Sequence, residues 1–278
     1  MFSKLTKGDL LMVSASCAWG FSYIFMKMGL GTLLPLQFVF LRFAIAFPFL
    51  LLVFRRKVWP TKTELKYSAV LGVALVLLAL CFTCGMITTD ASTAGFLSGT
   101  TVAMVPILNG IITRKFPKKR VVLAVFVALG GVAMMSLTSR LTLSVGAWLI
   151  IGGAFFYAVQ IVIIDQAILH DCRSLVISVW QLGFTALFSG VGVLMAGETT
   201  VNLDLAGWIG VLGLAFICCS YGYIAQSLAQ KSVSPERIGF IYSLEPVFCA
   251  IFAFLIFGEI MSLRELIGAI MIMISILM

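Results

Sequence analysis

A glutamate followed directly by a proline, Glu245-Pro246, stands near the middle of a long apolar run. An ionisable group within a membrane-crossing helix costs about 3 kcal/mol on insertion scales, so it needs a partner or a task. The proline removes one backbone donor and frees a carbonyl. The glutamate suits two tasks, ligand to a substrate amine or protonatable switch. Its structural alternative is a hydrogen bond or ion pair that holds the helix break, and Pro106 marks a second candidate break. Lys27 and Arg42 are the two basic residues inside apolar runs. Either could snorkel to headgroups, make a structural ion pair, neutralise a substrate carboxylate, or pair with Glu245. Asp165 falls near a run end and reads as interfacial.

Polar and aromatic residues near the centres of the runs complete a candidate binding set: Trp19, Tyr23, Tyr157, Gln160, Trp180, Gln181, Tyr223, Gln226 and Tyr242, with Glu245. A cavity for small metabolites needs apolar walls and a few placed polar groups, and this set supplies both. Trp59, Trp148 and Trp208, near run ends, read as interfacial anchors.

Catalytic and metal chemistry find little to build on. The one histidine, His170, lies in a polar loop, and Asp9, Asp90, Asp165, Asp171 and Asp204 all lie at or near run ends, so no aspartate pair or Ser-His pair is expected inside the runs. The seven cysteines, including Cys81-x-x-Cys84, sit mostly in apolar runs without a neighbouring histidine and read as packing residues. No phosphate-binding G-x-x-x-x-G-K-[ST] loop occurs, so direct ATP use is not expected. No metal, no cofactor and no enzyme activity are expected.

The elements that must position these residues follow from composition. Hydrophobic residues make up 62% of 278 positions and charged residues 11%, against about one-quarter charged in soluble domains. Apolar runs recur near 8–30, 36–54, 66–87, 92–113, 121–139, 144–168, 174–196, 206–229, 236–257 and 262–278. Their length, near the roughly 20 residues that cross a bilayer, and their lack of period-two alternation predict ten transmembrane helices. The first run reads as a full span with no small-residue cleavage site.

The net charge of +8 could suit nucleic acid, but the basic residues cluster in short loops such as Arg55-Arg56-Lys57 and Lys118-Lys119-Arg120, which suits membrane orientation instead. With a cytoplasmic N-terminus, fifteen of the nineteen Lys and Arg fall in inner segments, while Arg140 and Arg264 alone fall outside. Ten spans then leave both termini in the cytoplasm.

Matching Pro106 to Pro246 lays the fourth run over the ninth and pairs Gly99 with Gly239 and Ser92 with Ser232; Ala18-Trp19-Gly20 falls more loosely over Ala154-Phe155-Phe156. Runs five apart cross in opposite directions, so the register predicts an inverted repeat, the usual basis of alternating access. The predicted fold is an all-α membrane protein: residues 1–140 and 141–278 form two inverted five-helix repeats around a central cavity.

The stretch Trp19-Gly20-Phe21-Ser22-Tyr23-Ile24-Phe25-Met26-Lys27, Arg42 in Phe40-Leu41-Arg42-Phe43, and the passage from Ser234-Pro235 through Glu245-Pro246 to Phe257-Gly258-Glu259 and Gly268 resemble the drug/metabolite transporter superfamily, in its ten-helix EamA branch. That resemblance implies two inverted repeats around a cavity and, in many members, export of amino acids or related metabolites. The chain departs from the pattern at Ile112-Thr113-Arg114-Lys115, where a glutamate is usual, and at Val105-Pro106, where no acidic residue precedes the proline. The expected partners are a small-molecule substrate, protons if Glu245 couples transport, and the lipid of an inner membrane. Nucleosides, vitamins or lipophilic cations are the alternative substrates, and a channel-like or structural membrane protein is the alternative class.

Overall fold

The computed structural model describes residues 6–30, 33–89, 91–136, 144–257 and 262–278. Asp90, Arg140, Gly258, Glu259 and the side chains of Lys27, Ser92 and Phe257, all read above, lie outside that description. The described residues are helical throughout, without a strand: α1 Lys7–Gly20, α2 Ser22–Gly29, α3 Pro35–Phe54, α4 Lys62–Thr88, α5 Ala91–Gly99, α6 Thr101–Thr113, α7 Lys119–Ser136, α8 Val145–Leu169, α9 Ser174–Ala196, α10 Leu205–Gly213, α11 Tyr223–Ala229, α12 Pro235–Tyr242, α13 Glu245–Phe257 and α14 Leu263–Leu277. A 3₁₀ turn, Arg55–Val58, follows α3, and a π-helical segment, Leu214–Gly222, joins α10 to α11.

Among the described residues, six helical stretches are long and apolar enough to cross a membrane: Lys7–Met26, Pro35–Val58, Lys62–Thr88, Val145–Leu169, Ser174–Ala196 and Leu205–Ala229. Leu97–Thr113 and Leu266–Leu277 are shorter apolar helices. Large apolar side chains such as Leu52, Ile111, Phe126, Leu194 and Leu255 point outward, while Phe38, Phe43, Ile161 and Leu182 fill the interior. Helices apolar on both faces suit lipid, not water. This is a multi-pass membrane protein.

Several of the predicted runs are bent. The first divides at Phe21, the fourth at Thr100 and the ninth at Ser243-Leu244. Pro246 sits in the first turn of α13, where its missing N–H forfeits no intrahelical bond. Pro106 does not mark its break in the same way, because it lies inside α6 and the break falls a turn and a half earlier.

One end of the bundle is tied by ion pairs built on helix caps. Thr6 and Asp9 form a capping box at α1, and Thr61 and Glu64 form another at α4. Each carboxylate also holds an arginine from a distant helix start. Arg237 Nε lies 2.5 Å from Asp9 Oδ1, and Arg173 donates to Glu64 from Nε at 2.8 Å, from a terminal nitrogen at 2.9 Å and from its backbone N–H at 3.0 Å. Hydrogen bonding to Glu64 raises the Arg173 pKa above its ordinary value. Asn109 and Glu236 join α6 to α12 at the same end. At the other end, Gln37 Nε2 donates to the carbonyls of Glu198 at 2.8 Å and Thr200 at 3.0 Å.

Between the ends, α3 lies along α9, α4 along α8 and α9, α7 along α14, α6 against α12, and α1 against α11 and the π segment. The α2–α10 approach needs glycine. A Cβ on Gly210 would stand 2.5 Å from the Phe25 carbonyl oxygen, a rigid backbone atom.

Candidate functional site

Trp19, at the last turn of α1 and two residues before the Phe21 bend, is the centre of the site. Its ring centroid lies 5.7 Å from Tyr157 of α8, 5.5 Å from Tyr223 of α11 and 5.8 Å from Tyr242 of α12. Tyr157 and Tyr242 approach to 4.3 Å. The indole N–H donates to the Cys218 carbonyl at 3.1 Å, in the π segment. Four rings from four helices therefore wall one point, and the edge-to-face contacts of Trp19 with Tyr157 and Tyr242 help fix their orientation.

Beside them is a cavity of about 80 Å³ whose lining includes all four rings, Tyr23, Arg42 and Glu245. Met26, Leu78, Ala79, Phe82 and Leu214 give it apolar walls, with Ser22, Cys218 and Cys219 adding small polar edges. A volume of that size has room for a few water-sized groups.

Arg42, near the middle of α3, is only 7% exposed. Its guanidinium carbon lies 5.1 Å from the Phe43 ring centroid and 5.8 Å from that of Phe38, within cation–π range. The two ion pairs found among the described residues do not include it, and its Nε has no hydrogen-bond partner. Glu245, at the start of α13, is 3% exposed. Tyr242 and Tyr23 turn their phenols toward its carboxyl, while Oε2 has no partner. Tyr23 also lies 3.3 Å from the Ser98 hydroxyl. A buried guanidinium and a buried carboxyl thus share one aromatic-walled cavity without an ion pair between them.

The structure brings six of the ten predicted binding residues to this cavity: Trp19, Tyr23, Tyr157, Tyr223, Tyr242 and Glu245. Gln160, Gln181 and Gln226 lie elsewhere, in buried polar contacts among α8, α9 and α11. Gln160 Nε2 donates to Gln181 Oε1 at 3.1 Å, and Gln226 Nε2 donates to Gln230 Oε1 at 3.2 Å. Trp180 is farther away, its indole N–H on the Val58 carbonyl at 2.7 Å and its ring against Phe47. Phe155, loosely matched to Trp19 in the repeat register, points outward instead of into the site.

Sequence reasoning missed Cys218 and Cys219. They reach the cavity through the π segment, whose wider turn is bridged by Ser220 Oγ donating to the Ala215 carbonyl at 2.8 Å. Gly213 and Gly222 flanking that Cys-Cys-Ser triplet were the available signal, and π-helical turns gather at functional sites.

Comparison with known proteins gives these features a family. The EamA-like transporter family matches residues 6–137 and again residues 144–278. Two proteins of Archaeoglobus fulgidus, each described as an uncharacterized transporter, are similar over nearly their full length. One is 25% identical, covering 99% of this chain and 86% of its own length, and the other is 28% identical, covering 91% and 90%. A solved crystal structure of a protein with 12% identity has the same fold, with a TM-score of 0.79 over 97% of this chain and 94% of that one. The apolar helices, the buried central cavity and a family match over both parts of the sequence agree: the chain belongs to the EamA-like transporter family.

Proposed function

We propose that the protein is a secondary carrier, an exporter of amino acids or related small zwitterionic metabolites, working by alternating access. The observation that carries this reading is the pairing of Arg42 and Glu245 on one cavity, both buried and not paired with each other. A zwitterion presents a carboxylate and an ammonium. A guanidinium suits the first by planar, charge-assisted hydrogen bonds, and a carboxylate suits the second. The small cavity favours a compact solute over a nucleoside or vitamin, whose sites usually exceed about 300 Å³.

The architecture belonging to this reading has ten membrane-spanning helices in two inverted five-helix repeats, residues 1–140 and 141–278. The two successive family matches support it. So does the packing. Exchanging α1–α2 with α8, α3 with α9, α4 with α10–α11, α5–α6 with α12–α13 and α7 with α14 maps the α3–α9, α6–α12 and α7–α14 contacts onto themselves. The same exchange turns the α4–α8 contact into that of α11 with α1. Both termini are cytoplasmic and the membrane is the inner one in this reading, and Glu245 is the candidate group for proton coupling.

The test is counterflow in liposomes loaded with unlabelled solute, using labelled amino acids, nucleosides, vitamins and lipophilic cations. Saturable exchange of an amino-acid group is expected, with loss of competition by its methyl ester and its N-acetyl derivative. Exchange of a nucleoside or cation alone would keep the carrier and reject the zwitterion. A flux that does not saturate would reject the carrier.

A further inference from the structure

A second concave surface, sharing no lining residue with the central cavity, lies where α6 turns into α7. A cleft of about 540 Å³ opens there between Ile107, Ile111, Phe116 and Pro117 on its apolar side and Arg114 and Lys115 on its charged side. Lys118, Lys119 and Arg120 follow at once, so five cations fall within seven residues. All five are exposed, and neither of the ion pairs among the described residues includes one of them.

The turn is held in shape, which makes the cleft more than a loose basic loop. Arg114 adopts a left-handed conformation, φ 53°, and the Lys115 N–H closes onto the Gly110 carbonyl at 3.1 Å. The chain doubles back so closely that a Cβ on Gly110 would lie 3.0 Å from the Lys115 carbonyl oxygen. Ile107 and Ile111, one helical turn apart, both face outward, and Phe116 is completely exposed beside them.

We propose that this cleft binds an anionic phospholipid, with one acyl chain along Ile107, Ile111 and Phe116 and the phosphate among Arg114, Lys115 and Lys118. The apolar floor distinguishes such an amphiphile from a free phosphate or a nucleic acid, which would use the cations alone. A zwitterionic headgroup brings its own cation into the cluster and loses the advantage. Each basic side chain near an anionic headgroup contributes a factor of about five in affinity.

Native mass spectrometry of the full chain in detergent, titrated with phosphatidylglycerol or phosphatidylcholine, tests the proposal. The intact protein is expected to retain phosphatidylglycerol at least about tenfold more tightly. Arg114→Gln/Lys115→Gln/Lys118→Gln should abolish that preference, and Lys62→Gln/Lys66→Gln, two exposed lysines outside the cleft, should leave it unchanged. Should the triple variant not purify as a single species, Lys115→Gln alone should lower the preference about fivefold. Ile111→Asn should weaken phosphatidylglycerol retention with every charge intact. Equal retention of the two lipids, a preference that survives in the charge variants, equal loss in the Lys62/Lys66 control, insensitivity to Ile111→Asn, or displacement of the lipid by millimolar inorganic phosphate would each overturn it.

Discussion

Arg42 and Glu245 are costly to keep in a membrane interior, and they are kept facing one cavity without cancelling each other. At the residue scale the expected consequence is specific. Glu245→Gln and Arg42→Gln should each slow saturable exchange at least about tenfold, a loss of one charge-assisted hydrogen bond. Arg42→Lys should retain a small part, because the charge survives while the planar fork does not. Initial counterflow rates of monodisperse protein measure this, and wild-type rates in both neutral variants would make the two charges structural. The aromatic members and Glu245 were legible in the sequence as polar or ring-bearing residues at run centres. The glutamines were legible as polar but not as neighbours. Gln160 and Gln226 each follow a cavity tyrosine by three residues, so they sit on a similar face but about 4.5 Å further along the axis. Trp180 precedes Gln181 by one residue, which turns it about 100° around the helix and away from the centre.

At the scale of elements, two helix starts carry the same device. Thr6-Lys7-Gly8-Asp9 and Thr61-Lys62-Thr63-Glu64 both cap their own helix and both clasp an arginine from another helix start. A carboxylate that satisfies orphan N–H groups and a guanidinium together couples the caps to the bundle. Glu64→Gln and Arg173→Gln should each lower stability by about 2 kcal/mol, the range for hydrogen bonds to charged groups. The double variant should cost clearly less than the two single effects combined. Thermal unfolding in detergent checks it, and strictly additive effects would mean that the pair is not coupled. The cap pattern is readable locally, since it spans four residues. The arginine partners are 109 and 228 positions away and are chosen by packing alone.

Across the whole molecule, the charges divide by end. The α3–α4, α6–α7, α8–α9 and α11–α12 turns, together with the helix starts that follow them, carry most of the described Lys and Arg, and in the proposed topology Arg264 falls at the opposite end. A bias of that size governs insertion. Reporters fused to either terminus should therefore be active only when the reporter works in the cytoplasm, and fusions at Val201, between α9 and α10, only when it works outside. The reverse pattern would invert the proposed topology without changing the fold.

Composition and run length alone determined that this chain is a multi-pass helical membrane protein, because lipid leaves the backbone no alternative once roughly twenty apolar residues stand together. The family was legible too, in short motifs whose order spans both parts of the chain. Tertiary structure alone decided which polar residues meet. Apolar residues cover both faces of these helices, so no hydrophobic stripe marks the inner side, and the rotation of each helix is set by its neighbours. The bends at Phe21, Thr100 and Ser243-Leu244 and the π turn at Leu214–Gly222 then shift that rotation within single runs. That is why Cys218 and Cys219 reach the cavity while Gln160, Gln181, Gln226 and Trp180 do not.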